Sequence, residues 1–129
     1  MVATEAAEIS IREPGILLIR FREGIGLEPG HVLPIVSASK RLAGSVVHGN
    51  LVDVRGLLYI EQEAREAFAA QRSSSLSGIA ILLSSPLHRT LANVYLSVSR
   101  PSVPTRMFTA EDDAVVWLRA MNEKRTSRH

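Results

Sequence analysis

The chain has 129 residues, of which 46% are apolar, 22% charged and 5% aromatic, with no cysteine. That fits one globular domain with an aliphatic core, and excludes disulfides, thiol catalysis and cysteine-based zinc sites. Net charge is only +2, and much of the basic excess lies in the terminal KRTSRH (124–129), so no basic face interleaved with aromatics predicts a nucleic-acid partner.

The longest apolar runs, GILLI (15–19) and GIAILL (78–83), fall far short of the roughly 20 residues that span a bilayer. The opening MVATEAAEIS has no basic residue ahead of an apolar segment, so no signal peptide is expected and the expected location is the cytoplasm.

AEISIR (7–12) alternates, with Ala7, Ile9 and Ile11 on one face, as a half-buried strand does. Glu13-Pro14-Gly15 is a turn signal, and ILLIRF (16–21) follows as a second strand, so the two predict a hairpin. REGIGL (22–27) reads as a loop. A helix over about 30–43 places Val32, Ile35 or Val36, Ser39 and Leu42 on one stripe; Pro34 is tolerable only in the first turn, so the helix starts near Gly30–His31. NLVDV (50–54) is the third strand. A second helix runs from Ile60 to about Arg72, with Ala64, Ala67 and Phe68 inward and Glu61 paired with Arg65 at i, i+4. After the linker SSSLSG, the continuous apolar run IAILLSS (79–85) is a central strand covered on both faces.

Pro86 suits a first helical position with Ser85 as cap, opening a third helix over about 86–99 with Leu87, Leu91, Val94, Tyr95 and Val98 on one stripe. Pro101 and Pro104 end it, and TRMFT (105–109) is a short strand. Thr109 as N-cap with Asp112 at N3 opens a last helix over about 111–122, burying Ala114, Trp117, Leu118 and Met121. The order β-β-α-β-α-β-α-β-α predicts an α/β domain with a mixed, mostly parallel sheet and a leading hairpin. One domain is expected over 1–129, with its core at about 7–122 and a solvated basic tail at 123–129.

Few residues suggest chemistry. Gly24 and Gly26 in EGIGLEPG complete neither phosphate-binding motif. His31, His48, His88 and His129 are scattered, so no metal ligand set is expected, and no serine sits in G-x-S-x-G. Ser84-Ser85 follows a buried strand and opens a helix, a place used both for function in parallel sheets and for capping. Asp53 ends a strand on the side where open α/β sheets bind ligands; an ion pair with Arg55 is the competing structural role. Glu61 and Glu63 at a helix start favour the helix dipole and oppose a bound phosphate there. Leu96 lies about half a turn from the third helix's stripe and, if exposed, marks a partner or ligand surface.

LVDVRG (51–56), EAREAF (63–68), AILLSSPLHRTLANVYL (80–96) and PTRMFTAEDDAVVWL (104–118) resemble the STAS superfamily, which includes anti-sigma-factor antagonists of the SpoIIAA kind and cytosolic domains of sulphate transporters. They look more closely like the bacterial SpoIIAA-like subgroup, over roughly residues 7–122. In the antagonists, a strand Asp leads to a loop whose serine, at a helix start, is phosphorylated by a partner kinase. Asp53 matches the strand Asp and Glu61 the acid before the serine pair, whereas Gln62-Glu63 stand where the serines belong and Ala64 where a glycine follows. The resemblance therefore implies a non-enzymatic interaction or regulatory module without the phosphoacceptor and without a cofactor. The expected surface is Asp53, Arg55, Gly56, Glu61, Gln62 and Glu63, with Ser84, Ser85 and Leu96. Another protein is the expected partner, with a homodimer also expected. The alternative is a small apolar or anionic ligand, as in the lipid-binding domains to which the subgroup is likened.

Overall fold

The computed structural model describes residues 1–71, 74–84 and 103–127. The expected third helix, with Ser85 and Leu96, lies outside them. The elements are β1 (Val2–Ala3), β2 (Ala7–Glu13), β3 (Ile16–Phe21), β4 (Ile25–Leu27), a 3-10 turn (Pro29–His31), α1 (Val32–Ala43), β5 (His48–Asp53), β6 (Leu57–Ile60), α2 (Gln62–Ala69), β7 (Leu76–Leu82), β8 (Thr105–Phe108) and α3 (Glu111–Ser127). Six strands form one sheet in the order β1-β2-β3-β5-β7-β8. β1 and β2 join antiparallel, β2 and β3 form the expected antiparallel hairpin, and β3, β5, β7 and β8 run parallel. The α/β class and the mostly parallel mixed sheet follow the sequence reading.

The hairpin turn shows why the chain folds this way locally. Pro14 precedes Gly15, whose φ of +86° is a conformation only glycine adopts freely. β3 then buries almost every residue, Ile16 to Ile19 and Phe21, because helices cover both sides of a parallel sheet. Alternation divides these residues between two cores. Ile9, Ile19, Phe21 and Leu27 pack with Val32, Ile35 and Ala38 of α1 and Ala64 of α2. Ile16, Leu18, Leu51, Ala80, Leu82 and Phe108 pack with Ala114, Val115 and Leu118 of α3.

Glycines let α3 approach the sheet. A Cβ on Gly49 would stand 2.7 Å from Leu118 Cδ2, and one on Gly78 3.1 Å from Met121 Cγ. The far end of α3 is tied down by polar contacts. Asn122 Nδ2 donates to Gly15 O at 3.0 Å, and the Ser77 hydroxyl meets both Asn122 Oδ1 and His48 O.

Several expectations need correction. REGIGL is not all loop: its last three residues form β4, which pairs in parallel with β6 as a separate two-stranded sheet. The second helix starts at Gln62 rather than Ile60, because LLYI (57–60), four apolar residues rich in strand formers, is taken by β6. Glu61 and Arg65 share the backbone bond Arg65 N to Glu61 O, but the buried Arg65 Nε has no hydrogen-bond partner, so the expected side-chain pair does not form. The last helix starts at Glu111, which puts Ala110 rather than Thr109 at the cap, and it runs to Ser127. The basic tail as far as Ser127 is thus helix and not a frayed end, with Arg125 donating to the carbonyls of Ser74 and Leu76.

Candidate functional site

Asp53 is the last residue of β5 and faces the α3 side, in register with Arg20 of β3 and Leu82 of β7. Its side chain is 4% exposed, which makes an isolated carboxylate costly. Arg55 offsets this with three donors: its backbone N–H and Nε reach Oδ1 at 3.1 and 3.0 Å, and its Nη2 reaches Oδ2 at 2.8 Å. Arg20 Nε adds a fourth bond to Oδ2 at 3.2 Å. The chain of charges continues through Glu111 at the start of α3, 3.8 Å from Arg20 and 2.8 Å from Arg12.

Burial alone would push the Asp53 carboxyl up. The hydrogen bonds and charge of Arg55, with the bond from Arg20, outweigh it and hold the group below the usual carboxylate range. A carboxylate so held, with donors on both oxygens, is a poor general base at neutral pH. Its geometry suits ordering of the turn instead. The Asp53 to Arg55 N bond closes an Asx-type turn, Leu57 N donates to Val54 O, and Gly56 O accepts from Gly24 N. Gly56 has no room for a side chain, since a Cβ would come 2.9 Å from Arg22 O.

The structure brings Asp53, Arg55 and Gly56 together. Exposed Ser84 follows the neighbouring strand β7 at the same end of the sheet. Glu61, Gln62 and Glu63 stand apart, because β6 intervenes and carries the chain about 13 Å further. There Glu61 occupies the N-cap position without a side-chain cap bond, Glu63 lies in the first turn, and Gln62 Nε2 donates to Glu66 Oε1. All three are exposed.

Arg12, Arg20 and Glu111 are members of the charged cluster that the sequence reading missed. The signal was present in the two strands ILLIRF and NLVDV, which carry charges of opposite sign, Arg20 and Asp53, at their next-to-last positions. Also missed was β6, whose Leu58 and Tyr59 are 70% and 52% exposed. Among the described residues no group of three or more potential metal ligands occurs, and no helix is long and apolar enough to cross a membrane. An open pocket of about 230 Å³, lined among others by Ile11, Leu17, Leu42, Val46 and His48, lies at the other end of the sheet, beside the β2–β3 turn and the start of β5.

This mixed sheet with helices on both faces and an acid ending its central strand defines a SpoIIAA-like α/β domain. A solved structure with that fold, an uncharacterised protein of the DUF3478 family from Shewanella loihica PV-4, superposes with a TM-score of 0.64 at 17% identity, covering 92% of this chain and 98% of that one. The family model of a domain of unknown function, DUF7793, matches residues 9–122, and the chain belongs to that family. A protein of unknown function from Arthrobacter sp. FB24 is 28% identical over 87% of this chain and 98% of its own, but its TM-score of 0.34 bears no weight for the fold. No curated protein matches the chain.

Proposed function

We propose that this is a non-enzymatic, cytoplasmic protein-interaction module of regulatory type, with a contact surface running from Arg55 to Glu63. The observation that carries this reading is β6, which presents Leu58 and Tyr59 to solvent between a guanidinium and an acidic helix start. Adjacent large apolar side chains exposed on a strand favour a partner surface, and the charges beside them would fix its orientation. Asp53 supports the surface from beneath by holding Arg55. With Gln62-Glu63 in place of the serines, there is no hydroxyl to phosphorylate, so binding here would be constitutive.

A small apolar ligand is the second reading, favoured among the described residues by the pocket near His48. At about 230 Å³, that pocket falls below the roughly 300–1,000 Å³ of usual ligand sites.

A photo-crosslinking residue placed at Leu58 should give an adduct with a defined polypeptide when irradiated in the native host, whether a different protein or another copy of this chain. Glu63→Lys should weaken that contact by about 1 kcal/mol or less, up to roughly fivefold, with the thermal midpoint unchanged. Adducts formed from Val116 on α3 but not from Leu58 would overturn the assignment of the surface.

A further inference from the structure

β6 is an edge strand of four residues with a bulge at Leu58 in its pairing with β4. Among the described residues it pairs only with β4, and LLYI has neither a charge nor a proline to block a neighbouring strand. Glu61 gives its N–H to Leu27 O, so strand alternation turns the N–H and C=O of Ile60 the other way, to the outer edge. Leu57 and Ile60 are packed against the α1 side core, which anchors the strand while Leu58 and Tyr59 stay outside. A two-stranded ribbon is marginal alone and gains from added strands.

Resting on the interaction surface proposed above, we infer that the occupant of this edge is a second copy of the chain. The two β6 strands would pair antiparallel about a two-fold axis at Leu58 or Tyr59, joining the two β4–β6 ribbons into one four-stranded sheet. The charge pattern is self-complementary under that operation. Antiparallel pairing sets the turn before β6 of one copy, which carries Arg55, beside the far end of the other copy's β6, where Glu61 precedes α2 and Glu63 lies in its first turn. Arg55 is 44% exposed despite its bond to Asp53, so its outer edge is available. A parallel arrangement would instead set Arg55 against Arg55 and glutamate against glutamate, which disfavours it. The antiparallel copy therefore matches both the apolar centre and the charged ends, whereas an unrelated peptide would have to supply both.

The absence of cysteine gives a direct test. Leu58→Cys and Tyr59→Cys each introduce a single thiol, so any disulfide is intermolecular. The residue on the axis meets its own copy at a Cα separation of about 4.5–5.5 Å, inside the roughly 4.4–6.8 Å that a disulfide spans. Mild oxidation of the full chain should convert at least one variant to a disulfide-linked dimer in high yield, while Val116→Cys, 62% exposed on α3, stays monomeric. Sedimentation should give the wild type twice its 14.1 kDa mass, and Leu58→Asp, at an exposed position, should give folded monomer. The inference is overturned by a monomeric wild type, by a dimer that Leu58→Asp leaves intact, or by equal cross-linking at Val116. A monomeric wild type that still gives a Leu58 adduct with a different protein rejects the second copy and keeps the interaction surface; no adduct of any kind rejects both.

Discussion

Truncating Leu118 to alanine is expected to lower stability by about 2–5 kcal/mol, the largest loss from any single change considered. Leu118 is fully buried and belongs to the core that holds α3 to the sheet. The variable part of the loss is how far the cavity collapses, and Gly49 makes this measurable. A Cβ on Gly49 would stand 2.7 Å from Leu118 Cδ2 and 3.4 Å from Leu118 Cβ. Gly49→Ala alone should therefore cost about 1–3 kcal/mol from overpacking, less the roughly 0.4–1 kcal/mol that alanine contributes by restricting the unfolded chain. Once Leu118 is alanine, the clashing methyl is gone and the new Cβ enters the vacated space. The double variant should be more stable than the sum of the two single losses by about 0.5–3 kcal/mol, read from urea midpoints. Additive losses would mean that α3 does not press Leu118 onto Gly49.

That seam also marks the limit of sequence reading. The periodicity of the last helix singles out Ala114, Trp117, Leu118 and Met121, of which Ala114 and Leu118 are fully buried and Trp117 and Met121 half-buried. It says nothing of the glycines opposite them, because Gly49 and Gly78 sit within strands where glycine only signals that something comes close. The hairpin was legible because Pro14-Gly15 encodes its turn chemically and β2 alternates. The central strand was legible because a run as apolar as IAILL has no solvent face. β4 and β6 were not. Each is four residues or fewer, and neither gives enough alternation to separate a strand from a loop or from the first turn of a helix. Their pairing, and with it the division of Asp53–Glu63 into two separated groups, depends on contacts between segments about 30 residues apart in the chain. For the same reason the ion pair of Asp53 with Arg55 could be weighed from the sequence, whereas the links to Arg20 and Glu111 follow from strand register and the placing of α3.

The Asp53 cluster makes a prediction whose sign depends on which partner is removed. Arg55→Ala should destabilise the domain by about 1–3 kcal/mol near neutral pH, because it leaves a buried carboxylate with Arg20 as its remaining partner. The exposure of the arginines, 44% for Arg55 and 50% for Arg20, lets water screen part of the interaction and favours the lower half of that range. Asp53→Ala should cost less than Arg55→Ala, since it removes the buried charge and leaves two guanidiniums that water can solvate. The pH dependence follows from the lowered folded-state pKa of Asp53. A carboxyl depressed by folding stabilises the folded state above its unfolded value, about 3.9, and that contribution is lost as the pH falls through the lower folded value. In Arg55→Ala, burial is opposed by fewer donors, so the pKa rises and the contribution shrinks. The gap between wild type and Arg55→Ala should thus be widest above about pH 5 and close progressively below about pH 4, measured by urea denaturation across that range. A gap independent of pH would mean that Arg55 acts through the packing of its turn and not through the charge of Asp53. Asp53→Ala proving the costlier change would mean that the bond to Arg55 N, which closes the turn, outweighs the buried charge.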